Sequence, residues 1–391
     1  MQVSNAIHKS LTLPLGISEG VAPLGDLQLM AELELVVPDN YEELLLSQEL
    51  SGEVFVIQRL LTIARLGIPI TVLWAPAISQ RLPEIARLQP LLAVALMLQG
   101  VDHKLVGLEV DQAEKVLTAA RHGVQKHRLI RDMFSPIQML LCADSRGYGR
   151  PEQLYLARGG AMRPRSHFET LVQEVLDTEL KSTGETAKRF KWASSLGVIV
   201  AELFENTDMH AMTDLSGARF STNAMRGLIF KRIQLTVPLR DAHHKIKDVE
   251  KDCLEISIFD TGLGYFRSFT RSDEKHDIEF EWRVLHKCLE RHFDENIPDP
   301  RPAHRALGLA EVLRSLQTLA GRIEIRTGRT FGYRTFIEGQ LQAQMQPPGS
   351  EWARFSWPRP RLLDATKMVV AVPTAHEDIL GSAIRVVIPL N

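Results

Sequence analysis

A ten-residue stretch near the middle of the chain constrains the fold most strongly. Residues 201–210 read Ala-Glu-Leu-Phe-Glu-Asn-Thr-Asp-Met-His. Glu202, Asn206 and His210 are spaced four residues apart, so on an α-helix they lie along one side. Apolar residues fill much of the remaining helix surface, as in a helix that packs on a sheet: Leu196, Ile199, Val200, Leu203 and Phe204. A carboxylate and a carboxamide one turn apart form an acid/base and metal-ligand pair. The spacing alone does not distinguish such a pair from two solvated side chains.

Two glycine-containing segments follow this helix. Residues 254–259 alternate apolar with other residues and predict a strand, which ends in Asp-Thr-Gly-Leu-Gly at 260–264. Glycines in such a turn allow positive φ or a close approach of the backbone to a ligand. Residues 306–312, Ala-Leu-Gly-Leu-Ala-Glu-Val, begin a predicted helix that runs to about Ala320. A helix start with a glycine suits a phosphate, because unpaired N–H groups and the helix dipole both face the anion.

These segments, in this order, resemble the motifs of the GHKL ATPases, which include DNA gyrase, heat-shock chaperone ATPases, histidine kinases and MutL-type mismatch-repair proteins. Residues 202–206 are similar to the N box of that family, with His210 where kinase-type members often carry His or Tyr. Residues 260–264 are similar to its D-x-G-x-G box, and residues 306–312 to its second glycine box. Residues 381–390 resemble its terminal strand, with Ser in place of Thr. The resemblance covers roughly the second half of the chain.

The resemblance implies a Mg²⁺-dependent ATP site. Glu202 is the implied catalytic residue, a general base that orients or deprotonates the attacking water. Asn206 is the implied metal ligand, because its amide oxygen suits a hard cation that shares its ligands with phosphates. Asp260 is the implied acceptor for the adenine amino group, and Gly262 and Gly264 are implied to shape the adenine pocket.

Further nucleotide contacts are implied on the N-box helix, around the second glycine box, on the last strand and in a lid over residues 265–305. They are His210, Arg305, Leu307, Gly308, Leu309 and Ser382. The main chemical departure from the family is Ala306, which replaces the first glycine of the second box. Its methyl group disfavours positive φ, so the resemblance leaves open slow turnover, or binding without turnover.

The predicted fold class is α+β with two domains. Residues 1–150 are predicted to form a smaller α/β domain for regulation or partner binding, and residues 151–184 a linker with a connecting helix. Residues 185–391 are expected to form a GHKL-type α/β sandwich. Its sheet is predicted to be mixed, mostly antiparallel, with helices on one face, and residues 339–364 are predicted to be an inserted loop with an apolar anchor.

Local patterns define the elements expected outside the motifs. In the N-terminal half, strands are predicted at 33–38, 68–74 and 106–110, and helices at 41–66, 77–98 (interrupted near Pro83 and Pro90) and 111–127. Further on, we predict a helix at 166–180, a strand at 321–327 and the last two strands at 367–372 and 383–388.

Composition limits the classes of partner. A formal net charge of -2 and a pI near 6.7 give no signal for nucleic acid or an anionic membrane. Cys142, Cys253 and Cys288 lack C-x-x-C spacing, which argues against zinc and a disulfide framework and favours a reduced, cytoplasmic setting. We expect no targeting segment and no membrane span, since the most apolar run, 91–98, is too short.

The leading hypothesis is ATP binding with slow hydrolysis, used as a conformational switch in a bacterial-type regulatory, stress or defence module. Two alternatives stay open: a protein kinase for His or Ser of the histidine-kinase or anti-sigma type, and a non-hydrolysing nucleotide sensor. For the kinase, Ser166-His167-Phe168-Glu169 echoes a phosphoacceptor box, but only about forty residues separate His167 from Asn206, and a solvated histidine is favoured. The expected partners are ATP or ADP and a protein that binds the N-terminal domain, with a homodimer left open.

Overall fold

The chain forms two β-sheets, one parallel and one antiparallel, and its fold class is α+β. The computed structural model describes residues 8–14, 17, 22–41, 43–44, 52–125, 137–146, 150–156, 160–179, 186–240, 245–289, 308–336, 362–369 and 372–390. In these ranges, each helix is too short or too polar to cross a lipid bilayer.

The first part of the chain forms what we call the N-terminal layer, a four-stranded parallel sheet with its helices. The strands, in sheet order, are β1 (His8–Thr12), β2 (Glu32–Val37), β3 (Ile70–Trp74) and β4 (Val101–Leu105). The helices are α1 (Leu24–Leu27), α2 (Glu53–Ile63), α3 (Pro76–Leu88), α4 (Pro90–Met97) and α5 (Val110–Gln125). Alternate residues of β2, Leu33, Leu35 and Val37, are fully buried, as the period of two in a strand requires.

Three predictions for this layer are wrong. The helix predicted at 41–66 is interrupted at Gly52, whose φ of +112° precedes the start of α2. The strand predicted at 106–110 is instead β4, Val101–Leu105, which pairs with β3 along its whole length; positive φ at Gly107 belongs to the turn that follows. The break predicted near Pro83 is absent, because α3 runs through this proline. Pro83 removes one backbone hydrogen bond, but buried Leu82 and Ile85 beside it keep the helix packed.

The seven-stranded sheet has the order β10-β9-β8-β11-β7-β6-β5. Its strands are β5 (Ile137–Ala143), β6 (Met225–Arg240), β7 (Ile246–Asp260), β8 (Arg322–Gly328), β9 (Thr330–Thr335), β10 (Leu363–Asp364) and β11 (Ile379–Pro389). All six pairings are antiparallel, in contrast to the predicted mixed sheet. The reason is the connectivity: β6–β7 and β8–β9 pair as consecutive strands, and β11 returns between β8 and β7.

Helices cover one face of this sheet. They are α6 (Arg165–Glu179), α7 (Thr186–His210), α8 (Gly264–Thr270), α9 (Ile278–Leu289) and α10 (Gly308–Thr318). Their buried residues form one cluster with the strands; Leu196 and Phe204 of α7, for example, join Ile258 of β7 and Ile384 of β11. The predicted amphipathic face of α7 therefore packs on the sheet.

The N-terminal layer covers the opposite face. Met139, Met225, Phe259 and Ala383 of the seven-stranded sheet belong to the same buried cluster as the apolar residues of the N-terminal layer. The edge strand β5 also comes from residues that the sequence placed in the first domain. The two predicted domains thus share a core within the described residues.

Polar contacts reinforce this junction. Arg59 of α2 is 2% exposed, and its Nε donates to Glu377 Oε2 at 2.7 Å. The same guanidinium donates to the carbonyls of Ile17 and Ala22. Arg59 therefore ties α2 to the segment that precedes β11.

Several predicted features fall partly or wholly outside the described residues. The predicted lid, 265–305, is described as far as residue 289, where it contains α8 and α9, and of the predicted insertion, 339–364, residues 362–364 are described. The strand predicted at 367–372 is wrong for the described residues 367–369 and 372, which lie outside any strand. Residues 365–367 form a turn, in which the Asp364 carboxylate accepts the backbone N–H groups of Thr366 and Lys367.

Candidate functional site

Segments far apart in the sequence line one cleft between the helices and the seven-stranded sheet. The cleft holds about 590 Å³ of space, including its open mouth. Six of the predicted site residues line it: Asn206, His210, Asp260, Gly264, Leu309 and Ser382. The remaining lining residues were not predicted as site residues: Leu203, Thr207, Ile258, Tyr265, Ser268, Phe269, Cys288 and Ile384.

Asp260 lies at the end of β7 and is 7% exposed. Its Oδ1 accepts the backbone N–H of Gly262 at 2.8 Å. Burial raises the pKa of this carboxyl from 3.8 to about 6, against the lowering effect of the Gly262 and Ser382 N–H groups and of the Arg226 and Arg65 guanidinium groups. The hydrogen bond from the Gly262 N–H therefore holds this buried carboxylate in a fixed orientation in the cleft.

The two glycines after Asp260 are required by close packing. Gly264 has a φ of +71°, and a Cβ there would lie 2.6 Å from Thr327 Oγ1 and 2.8 Å from the carbonyl oxygen of Gly381. A Cβ on Gly262 would lie 2.3 Å from Ala211 Cα. The turn can therefore reach both the end of α7 and the β8–β11 strand pair.

The hydroxyl groups of Ser268 and Ser382 contribute to the polar part of the cleft lining. Ser268 Oγ lies 3.1 Å from His210 Nδ1, and the Ser382 hydroxyl donates to Thr327 Oγ1 at 3.4 Å. Thr327 in turn donates to the Gly381 carbonyl at 3.1 Å and accepts the Tyr265 N–H at 3.0 Å. No sequence motif pointed to Ser268 or Thr327; the helical spacing of Ser268 from Gly264 was the one available signal.

Glu202 is not among the described residues that line the cleft. Its Oε1 lies 3.6 Å from Arg165 Nη1 of α6, and its side chain is 22% exposed. Burial raises the pKa of Glu202, and the Arg165 charge opposes that rise. Asn206 and His210, one and two turns further along α7, do face the cleft.

Gly262 packs against Ala211 and is absent from the cleft lining. Three further predicted contacts cannot be assigned to the lining. Arg305 and Leu307 lie outside the described residues, and Gly308 is the first residue of α10. Leu309, the next residue, lines the cleft, so the start of α10 is close to it. His167 lies on α6 at a separate surface groove, where its Nε2 is 3.0 Å from the carbonyl oxygen of Gln153.

A buried ionic network holds the end of α7. Arg226 of β6 is fully buried; its Nε donates to Asp144 at 2.7 Å and its Nη1 to Asp208 at 3.0 Å. The Tyr155 hydroxyl donates to the same Asp208 oxygen at 2.7 Å. Asp208, within the motif that carries Asn206 and His210, therefore has a structural partner that the sequence did not predict.

The polar residues of the cleft suit the implied nucleotide and cation to different degrees. The Asp260 carboxylate can accept a hydrogen bond from an exocyclic amine at the cleft base. The half-buried Asn206 amide makes no hydrogen bond to another described residue, so its oxygen is available to a cation. The described residues contain no cluster of three His, Cys, Asp or Glu side chains suited to a metal. Asn206 therefore fits Mg²⁺ if phosphate oxygens supply further ligands, the usual arrangement for this ion.

Comparison with known proteins identifies no relative. No family model, curated protein or solved structure matches the chain. The resemblance to the GHKL ATPases therefore stays a prediction.

Proposed function

We propose that the cleft binds an adenine nucleotide with Mg²⁺, in a GHKL-like arrangement, and that nucleotide occupancy switches the conformation of the protein. One observation carries the proposal: Asn206, Asp260, Gly264, Leu309 and Ser382, from separate parts of the sequence, line one cleft. A cleft with a few polar groups among apolar side chains is typical of small-molecule sites.

Each group of cleft residues has a chemical role in this proposal. Asp260 accepts the adenine amino group, which gives base specificity. Leu203, Ile258 and Ile384 provide apolar surface around the planar base. Asn206 holds the cation, which neutralises phosphate charge when bound.

Hydrolysis is the finer part of the proposal. A general base must come within hydrogen-bond reach of the attacking water, directly or through one further water. Glu202 meets this condition if its carboxylate leaves Arg165 and turns towards Asn206. The Glu202–Arg165 pair favours a second candidate, a module that binds nucleotide without hydrolysing it.

Thermal unfolding with ligand tests nucleotide binding. A ligand that binds the native state at one hundred times its Kd adds about 2.7 kcal/mol to the unfolding free energy. We expect ATP, ADP and a non-hydrolysable ATP analogue to raise Tm, and Mg²⁺ to increase the effect of ATP. Inosine triphosphate, which lacks the amino group read by Asp260, should raise Tm less. Equal Tm with and without millimolar ATP would refute the proposal.

The Asp260→Asn variant, with Asp248→Asn as its control, assigns the effect to the cleft. Asp248 is an exposed carboxylate on the same strand, β7. The ATP-dependent rise in Tm should fall in Asp260→Asn and persist in Asp248→Asn. Phosphate release from ATP, measured on the same samples, then separates an ATPase from a non-hydrolysing module.

A further inference from the structure

The backbone of β11 is irregular where it borders the cleft. Ile379 lies opposite Gly328 and Ser382 opposite Thr327, so β11 contains two extra residues, Leu380 and Gly381, relative to β8. Gly381 has a φ of +66°, and a Cβ there would lie 2.0 Å from the Asp260 carbonyl oxygen. This irregularity sets Ser382 beside Asp260, its partner in the β11–β7 pairing.

The extra residue Leu380 makes its backbone hydrogen bonds with the N-terminal layer. Its N–H donates to Thr62 Oγ1 at 3.1 Å, and its carbonyl accepts from Gln58 Nε2 at 3.1 Å. Gln58 and Thr62 lie one turn apart on α2 and are 1% and 4% exposed. Leu380 is half-buried and its two partners are buried, so loss of either partner leaves a backbone group with reduced access to water.

A third contact from the same layer reaches the other side of Asp260. Arg65, just beyond the end of α2, donates from Nη1 to the Thr261 carbonyl at 2.7 Å. Its guanidinium also lies 4.0 Å from the centre of the Phe220 ring. Thr261, which follows Asp260, and Leu380, two residues before Ser382, are therefore both hydrogen-bonded to residues 58–65 of the N-terminal layer.

We infer that Gln58, Thr62 and Arg65 are positioning residues of the cleft, so that nucleotide binding and the docking of α2 are thermodynamically linked. The inference rests on the proposed nucleotide-binding function. A nucleotide that requires the observed arrangement of Asp260 and Ser382 must favour the docked α2, and by reciprocity a weakened α2 contact must weaken the nucleotide.

Thr62→Val tests the link, because it keeps the side-chain shape and removes the acceptor of the Leu380 N–H. The matched control is Thr71→Val in β3, a threonine 5% exposed that is absent from the cleft lining. We expect Thr62→Val to weaken ATP binding about tenfold in equilibrium titration well below Tm, as for a half-buried donor that loses its partner. Thr71→Val should change Kd less than twofold, and Thr62→Ser, which restores the hydroxyl, should recover most of the affinity.

Amide hydrogen exchange gives a readout that does not need nucleotide. In the free protein, the Leu380 amide should exchange faster in Thr62→Val than in Thr71→Val, and ATP should slow its exchange in the wild-type protein. If Thr62→Val does not fold, Arg65→Met takes its place, with exposed Arg87→Met as control; this pair should show the same tenfold contrast in Kd.

The outcomes separate the two proposals. Wild-type binding of ATP with an unchanged Kd in Thr62→Val would overturn the positioning role alone. Equal weakening in Thr62→Val and Thr71→Val would also overturn it, because the effect would then be general destabilisation. Absence of ATP binding in the wild-type protein would refute the proposed function itself, and the inference with it.

Discussion

At the scale of single residues, Asp260 links the candidate site to the stability of the protein. Its carboxyl binds a proton more tightly in the folded chain than in the unfolded chain, because burial raises its pKa from 3.8 to about 6. The stability that it contributes is therefore complete below about pH 3.8 and is lost as the pH rises to about 6.

This linkage predicts a pH effect for Asp260→Asn. One pKa unit corresponds to about 1.4 kcal/mol, so the shift from 3.8 to about 6 is worth roughly 3 kcal/mol. Between pH 4 and 6, the unfolding free energy of the variant relative to wild type should rise by up to about 3 kcal/mol. Urea denaturation across this range measures it. A parallel pH profile for Asp260→Asn and Asp248→Asn would contradict the assigned pKa.

The Glu202–Arg165 pair gives a second prediction at this scale. Glu202→Ala should leave the Kd for ATP within about twofold and, if Glu202 is the general base, lower phosphate release by about 10²-fold or more. Arg165→Met, which removes the competing partner, should raise phosphate release without changing the Kd. Unchanged phosphate release in Glu202→Ala would remove that residue from the mechanism.

Sequence spacing indicated some residues of the cleft and gave no signal for others. Asn206, Asp260 and Gly264 each belong to a motif with a fixed spacing, and they line one cleft as expected. Ser268 lines the cleft and Thr327 supports it through hydrogen bonds to Ser382 and Tyr265, but neither belongs to a motif, because their positions depend on how α8 and β8 meet. Local spacing carries no information about such contacts between distant segments.

At the scale of elements, the position of α7 depends on the buried ion pairs around Arg226. Removing Arg226 takes away the buried positive charge that pairs with the Asp144 and Asp208 carboxylates. Breaking a buried pair by removing one partner typically costs about 3–5 kcal/mol, much more than an exposed pair.

This contrast predicts the effect of two matched substitutions on one strand. Arg226→Met should lower the unfolding free energy by about 3 kcal/mol or more. Arg232→Met, which removes the exposed pair of β6 with Asp252, should lower it by less than about 1 kcal/mol. Urea denaturation of both variants at neutral pH measures the difference. Equal losses would show that the Arg226 network does not anchor α7.

Segments with a strong hydrophobic pattern were predicted as strands, whereas the strands that they pair with were not predicted. The apolar run at 33–38 and the alternation at 254–259 predicted β2 and the end of β7. The antiparallel insertion of β11 between β7 and β8, and the pairing of β5 with β6, come from segments distant in sequence. The local pattern shows that a segment forms a strand, but which strand it pairs with depends on the packing of the whole sheet.

At the scale of the whole molecule, the shared core is the main departure from a chain of two separate domains. Apolar residues of the N-terminal layer and of one sheet face form one buried cluster. We predict that both parts unfold in one cooperative transition, with equal calorimetric and van't Hoff enthalpies. Two resolved transitions in differential scanning calorimetry would show that the layer and the sheet are independent.

The proposed function requires distant segments of the chain to hold one adenine nucleotide between them. The most direct measurement is a crystal structure of the wild-type protein with Mg²⁺ and a non-hydrolysable ATP analogue. We expect one nucleotide per chain, with its adenine amino group against Asp260 and its cation on Asn206. An empty cleft at saturating analogue, or a nucleotide bound elsewhere on the chain, would refute the proposed function.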